Sequence, residues 1–219
     1  MLQIKTDFPY LGTRRYIHGT SILNFILAYT DEEIKGAVKL KTIRFQNEIN
    51  SNGSFYISEN NDIKDLLQKA DCYISFEAGN YAWKAVYIEE GIKVDRIVPE
   101  IAYSIENLTS DNNYGGSCFI KAFSRSELVC NIIQANKRMH LSCLPESQQV
   151  SDVRFGYMEK WDVPPKDIML QTSLDIRNLI TRNNINDIMT INRVTYSNSS
   201  KYTSLILCFK TVLKEKNNK

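Results

Sequence analysis

The sequence has no CxxC pair, and its five cysteines, Cys72, Cys118, Cys130, Cys143 and Cys208, are an odd number without framework spacing. That excludes a disulfide-stapled scaffold and a zinc ribbon, and leaves the cysteines reading as reduced, semi-buried small hydrophobes. No stretch approaches the roughly 20 apolar residues of a membrane-spanning helix. The opening MLQIKTDFPYLGTRRYIHG carries no apolar run of the signal-peptide kind. No membrane span is therefore expected, and the default address is the cytoplasm. An excess of one charge is missing as well. The 27 Lys and Arg against 25 Asp and Glu leave a net +2, dispersed rather than striped, so nucleic acid is not an expected partner. Absent too are GxSxG, the P-loop, GxGxxG and HExxH, and with them the turns and ligands that serine hydrolases, nucleotide enzymes and zinc proteases need. Only two histidines, His18 and His140, are available for proton chemistry near neutral pH.

What is present is an ordinary globular composition, 43% hydrophobic and 24% charged over 219 residues, enough for one large domain or two small ones. The first dense apolar segment runs from Thr20 to Tyr29, with Ile22, Leu23, Phe25, Ile26 and Leu27 too closely spaced for a surface helix. A buried helix is predicted, capped by Thr20 or Ser21 and ending near Thr30, with Asp31, Glu32 and Glu33 after it. Past Gly36 the pattern turns to alternation through Val38, Leu40, Ile43 and Phe45. The turn-rich Asn50-Ser51-Asn52-Gly53 and then Phe55-Tyr56-Ile57 suggest a hairpin. A short helix over Asp62 to Lys69 and a strand pair turning at Gly79-Asn80, from Cys72–Glu77 into Ala82–Ile88, complete the first half.

The second half repeats this order. Strand-like segments at Ala102–Leu108 and Cys118–Phe123 flank a loop at Ser110–Ser117. They precede the strongest predicted helix, capped by Ser124 or Ser126 and carried by Leu128, Val129, Ile132, Ile133 and Ala135 towards Met139. Segments rich in β-formers follow, at Val153–Met158, Met169–Ile176, Ile188–Tyr196 and Tyr202–Leu213, with breaks at Pro145 and Pro164-Pro165 and a solvated tail at Lys214–Lys219. Thr42-Ile43-Arg44-Phe45 after the first helix is echoed by Asp152-Val153-Arg154-Phe155 after the second. Two related α+β halves, residues 1–104 and 105–219, are the expected organisation.

The segment from Arg14 to Leu27 resembles the opening of the first repeat in the A-factor biosynthesis hotdog family, in which a hydrophobe and a histidine precede the first helix. Leu128 to Lys137 resembles the central helix of the second repeat and of hydroxyacyl-thioester dehydratases, where a glutamate commonly stands at the position of Gln134. The resemblance implies an α+β double hotdog, two fused repeats each with a central helix wrapped by an antiparallel sheet. It further implies work on acyl groups carried as thioesters on acyl carrier protein or coenzyme A, by dehydratase-like or acyltransferase-like chemistry in lipid or specialised metabolism. No metal or other cofactor is implied, and a homodimer is compatible with it.

On that footing His18 and Gln134 are the catalytic candidates, and Gly19, Asn24 and Asn136 the substrate-binding ones. An imidazole directly before a helix can polarise a thioester carbonyl or deprotonate the carbon beside it, while N–H groups at the helix start hold the carbonyl oxygen. Equally, His18 can cap the strand–helix corner or bond within the core. Gln134 cannot exchange a proton, but its amide can donate to a carbonyl or orient a water, and Asn24 and Asn136 offer similar amides. His140, beside Lys137 and Arg138, reads as a partner of the helix C-terminal dipole. Tyr73, Tyr81, Trp83 and Tyr87 fit either an acyl tunnel or an ordinary sheet face. The rival to an acyl-thioester enzyme is a non-catalytic hotdog acyl-binding or assembly protein, with Gln134 marking lost chemistry.

Overall fold

The computed structural model describes residues 1–59, 62–100, 102–110, 116–143, 150–164, 170–181, 187–196 and 202–213. The loop after Ser110, the breaks at Pro145 and Pro165, Met169 and the Lys214–Lys219 tail lie outside them, as does the side chain of His140. The chain divides into two compact units, Met1–Ala102 with Glu159–Ile168, and Tyr103–Met158 with Met169–Lys219. A single division at residue 104 leaves Glu159–Ile168 in the second half, whereas that segment clusters with the first unit.

In the first unit, strands β1 (Leu2–Lys5) and β2 (Tyr10–Leu11) precede helix α1 (Gly19–Tyr29), which continues into one π-helical turn over Thr30–Ile34. Then come β3 (Val38–Phe45), β4 (Asn52–Ser58), a 3-10 segment at Lys64–Lys69, β5 (Cys72–Ala78), β6 (Tyr81–Ile92) and β7 (Ile97–Val98). The main sheet runs β1-β4-β6-β5-β3, every pair antiparallel. The expected hairpin of β3 with β4 does not form, since β3 pairs with β5 while β4 pairs with β1 and β6. Asn52 and Gly53 do not make a turn: they sit in β4 at a register shift against β6. A Cβ on Gly53 would stand 1.9 Å from the Ile88 carbonyl oxygen, so glycine is there for close backbone approach. The tight turn lies instead at Gly79 and Asn80, both left-handed at φ 59 and 71, where two such residues suit the twist of a two-residue hairpin.

Alternation gives this sheet two distinct faces. Phe55 and Tyr87 face α1, where the Phe25 ring stacks on Phe55 at 4.7 Å and Phe8 meets Phe25 edge-on at 5.7 Å. Ile22, Leu23, Ile26 and Leu27 are buried along the same helix, as its apolar density predicts. The neighbouring residues Tyr56 and Val86 point the other way, into a cluster with Ile63, Ala70, Leu66 and Leu67 from the 3-10 segment and its flanks. Tyr73 and Tyr87 thus serve opposite faces, Tyr81 is exposed, and Trp83 donates its Nε1–H to the Ala78 carbonyl at 3.2 Å. These four aromatics do not line one tunnel.

The second unit holds β8 (Ile105–Ser110), β9 (Gly116–Ala122), helix α2 (Arg125–Cys143), β10 (Val150–Val163, of which Val150–Met158 belong here), β11 (Leu170–Thr181), β12 (Asp187–Tyr196) and β13 (Tyr202–Leu213). The order is β10-β13-β12-β11-β9-β8. Ser124 caps α2: its Oγ accepts the Glu127 N–H at 3.2 Å, while the Glu127 carboxylate takes the Phe123 N–H at 2.8 Å. Leu128, Val129, Ile132, Ile133, Ala135 and Met139 are buried as expected. Asn131 fastens the helix to β9 by donating Nδ2–H to the Lys121 carbonyl at 2.9 Å. Among the described residues no helix is long and apolar enough to cross a membrane.

Candidate functional site

The start of α1 is held by the chain around it. The Ile17 N–H donates to the Ile49 carbonyl at 2.7 Å, and Arg14 pairs with Glu100. The helix begins at Gly19, one residue earlier than the predicted cap position, so neither Thr20 nor Ser21 is the N-cap. That residue is His18, in extended conformation at φ −70 and ψ 138, and its Nδ1 accepts the Thr20 N–H at 3.4 Å. The Thr20 hydroxyl lies 2.7 Å from the same nitrogen, and the Tyr16 ring is 6.3 Å from the imidazole. His18 is half-buried, whereas Thr20 is buried.

Of the first N–H groups in the helix, that of Thr20 meets His18 Nδ1 and that of Ser21 meets the His18 carbonyl at 2.9 Å. The Gly19 N–H belongs to the same first turn, where no helical carbonyl reaches back to it. Asn24 is one turn beyond Thr20 on the edge of the buried stripe. Its Oδ1 is buried and has no hydrogen-bond partner among the described residues. An orphaned buried acceptor calls for a donor from a ligand or water.

Gln134 and Asn136 belong to the other unit and to a different helix. Gln134 is half-buried on the side of α2 opposite the Leu128, Ile132, Ala135 and Met139 stripe. Asn136 is fully buried within that stripe, and its Nδ2–H donates to the Ile132 carbonyl one turn back at 2.9 Å. Two positions apart on a helix, the two amides leave it on opposite sides. The structure therefore places His18 and Gly19 at the start of α1 and Asn24 more than a turn further along it, and does not bring Gln134 and Asn136 onto one face of α2. Sequence reasoning missed Thr20 as part of the site. The sequence reads it as a cap, and the signal that points to it is a hydroxyl two residues after a histidine at a helix start.

Other chemistry is less well prepared. Burial pushes the Cys72 thiol well above its ordinary value, with Asp71 adding to the effect, and pushes Cys118 to about 12. Both are therefore neutral and poorly nucleophilic at neutral pH. Among the described residues no group of three His, Cys, Asp or Glu side chains is placed to hold a metal ion. A cavity of about 630 Å³ in the first unit is lined by Val38, Lys39, Glu77, Tyr81 and Asp162 among others, and none of the five predicted site residues borders it.

Solved structures share this architecture over nearly the whole chain. A Lactobacillus plantarum protein assigned as an oleoyl thioesterase has a TM-score of 0.52 at 9% identity, covering 97% of this chain and 96% of its own. A conserved Alicyclobacillus acidocaldarius protein of unknown function with a hot dog fold has 0.52 at 7%, covering 97% and 93%. The pyran synthase domain from module nine of the sorangicin pathway has 0.53 at 6%, covering 97% and 92%. At such identities the likeness is one of fold. The fold is the expected α+β double hotdog. No protein-family model matches the sequence, and no curated protein does.

Proposed function

We propose that the chain processes an acyl thioester, with the substrate carried on acyl carrier protein or coenzyme A and His18 acting on the thioester carbonyl or the carbon next to it. The observation that carries this reading is the half-buried imidazole at the first turn of the buried helix α1, in a fold shared with an assigned thioesterase and a pyran synthase domain. The Gly19 N–H is the donor for the carbonyl oxygen, as first-turn N–H groups suit a developing negative charge. Asn24 Oδ1, buried without a partner among the described residues, accepts an N–H from the amide-bearing carrier arm. Gln134, on α2 of the other unit, carries an amide that can offer a hydrogen bond but no proton, so it does not supply the carboxylic acid that dehydratase-like chemistry uses. Asn136, fully buried and already bonded to its own helix, is the weakest of the substrate-binding candidates.

A second reading, a non-catalytic acyl-binding or assembly protein, is favoured by the amide at Gln134 and by the use of His18 Nδ1 as a helix cap. Incubation with a panel of acyl-carrier and acyl-coenzyme A thioesters, followed by intact-mass spectrometry, separates the two. Turnover supports the enzyme, and stable binding without turnover supports the second reading. Indifference to every thioester removes both. The two-repeat organisation, residues 1–104 and 105–219, belongs to the same proposal. It is supported by the echoed Thr42–Phe45 and Asp152–Phe155, which fall in the first strand after each helix.

A further inference from the structure

The reading above leaves His18 two incompatible jobs, to take a proton or to lend one, and the atoms around its Nδ1 distinguish them. Two groups of Thr20 converge on that nitrogen, the backbone N–H at 3.4 Å and the hydroxyl at 2.7 Å. A proton on Nδ1 would point at the Thr20 N–H, donor against donor. A lone pair there satisfies the N–H and accepts the hydroxyl proton as well. Thr20 is buried, and its hydroxyl has no other partner among the described residues, so donation to Nδ1 is how that O–H is satisfied.

We propose that Thr20 is a positioning residue that fixes the neutral His18 ring with its proton on Nε2. Resting on the acyl-thioester reading, we further infer that His18 presents an N–H to the thioester carbonyl oxygen and is not the base that removes a proton. A ring whose proton is already on Nε2 has no lone pair at that nitrogen to receive another. As a donor it needs no change of protonation through the step: the Nε2–H bond stays intact while negative charge gathers on the oxygen and returns to the carbonyl. The Gly19 N–H and His18 Nε2–H are then two donors for one oxygen, and a basic group other than His18 takes the substrate proton or activates water. Specificity follows too. A carbonyl acceptor is required of the ligand, so a thioether of the same carrier and chain length forfeits both bonds.

Uniformly ¹⁵N-labelled full-length protein provides the test. With two histidines in the chain, His140→Gln assigns both rings. At about pH 8, above the ordinary histidine range, wild-type His18 is expected to show a protonated-type Nε2 shift and an unprotonated-type Nδ1 shift. Thr20→Val should move the two shifts towards each other, and Thr20→Ser should restore the separation. Where a thioester is turned over, Thr20→Val should lower kcat about tenfold with KM unchanged, the order expected for one lost hydrogen bond, and Thr20→Ser should recover it. A wild-type proton on Nδ1 overturns the proposal, and so does a Thr20→Val spectrum identical to wild type. If Thr20→Val fails to fold, the wild-type spectrum still decides the tautomer. A wild-type Nε2–H spectrum in a protein that turns over no thioester supports the role of Thr20 and removes the substrate reading alone.

Discussion

The two units place the same parts in different orders. In each, the last strand of the main sheet before the helix and the first strand after it lie at opposite ends of a run of five, β1 and β3 in one and β9 and β10 in the other. Between them the first unit interleaves its strands, β4-β6-β5, whereas the second runs them in sequence, β11-β12-β13. Connection length accounts for the difference. Residues 59–71 separate β4 from β5, long enough to cross the sheet, skip one strand position and cover the far face with Ile63, Leu66 and Leu67. Only residues 182–186 separate β11 from β12, the span of a direct hairpin connection. The far face tells the same story: Val86 is buried under the crossing segment, while Phe119 and Phe123 stand exposed at 54% and 72% on or just after β9. Link length thus sets strand order, and strand order decides which face of a sheet needs a cover.

Substitutions can break or sharpen that contrast. Phe55→Ala removes the ring between α1 and the sheet of the first unit and should cost about 3–5 kcal/mol in denaturant unfolding, with hydrogen exchange rising first in peptides from β4 and β6. Ile63→Ala should cost about 2–5 kcal/mol by uncovering Val86. A negligible loss would mean that the crossing segment does not hold the far face.

Tyr87→Phe is smaller, about 1 kcal/mol, for the phenol bonds to the Ser51 carbonyl and Thr6 hydroxyl, both at 3.2 Å. Its pH signature is more specific. Burial pushes the Tyr87 phenol up to about 12, against the pull of the Thr6 hydrogen bond. The unfolded chain therefore ionises there first, and the stability present below pH 10 is lost as pH rises from about 10 to 12. Urea midpoints across that window should fall more steeply in wild type than in Tyr87→Phe. The smallest effect belongs to the second unit, where Phe119→Ser should change stability by no more than about 0.5 kcal/mol. A loss above about 1 kcal/mol would show that its far face is covered after all.

Much of this architecture was legible because it is written locally. The apolar densities of Ile22–Leu27 and Leu128–Met139 marked both helices, Ser124 or Ser126 marked a cap that the structure gives to Ser124, and Gly79-Asn80 marked a hairpin. The failed hairpin at Asn52-Gly53 came from a distant constraint, since Gly53 answers to the Ile88 carbonyl on another strand. Composition gives no sign of that approach. The site was half legible for a similar reason. A histidine before a helix can be seen in one dimension, but which ring nitrogen meets Thr20, and that Asn24 Oδ1 is buried without a partner among the described residues, depend on how the helix start is packed.

The most direct measurement is single-turnover reaction of an acyl thioester by wild type and His18→Ser, with melting temperature recorded on the same samples. Serine caps helices well, so the variant keeps the bond to the first turn while removing the imidazole. Expected is a rate lower by about 10²–10³-fold, as for loss of one oxyanion donor, with the fold and acyl binding retained. A His18→Ser protein that reacts at the wild-type rate would contradict a chemical role for His18 and leave it as the cap of α1.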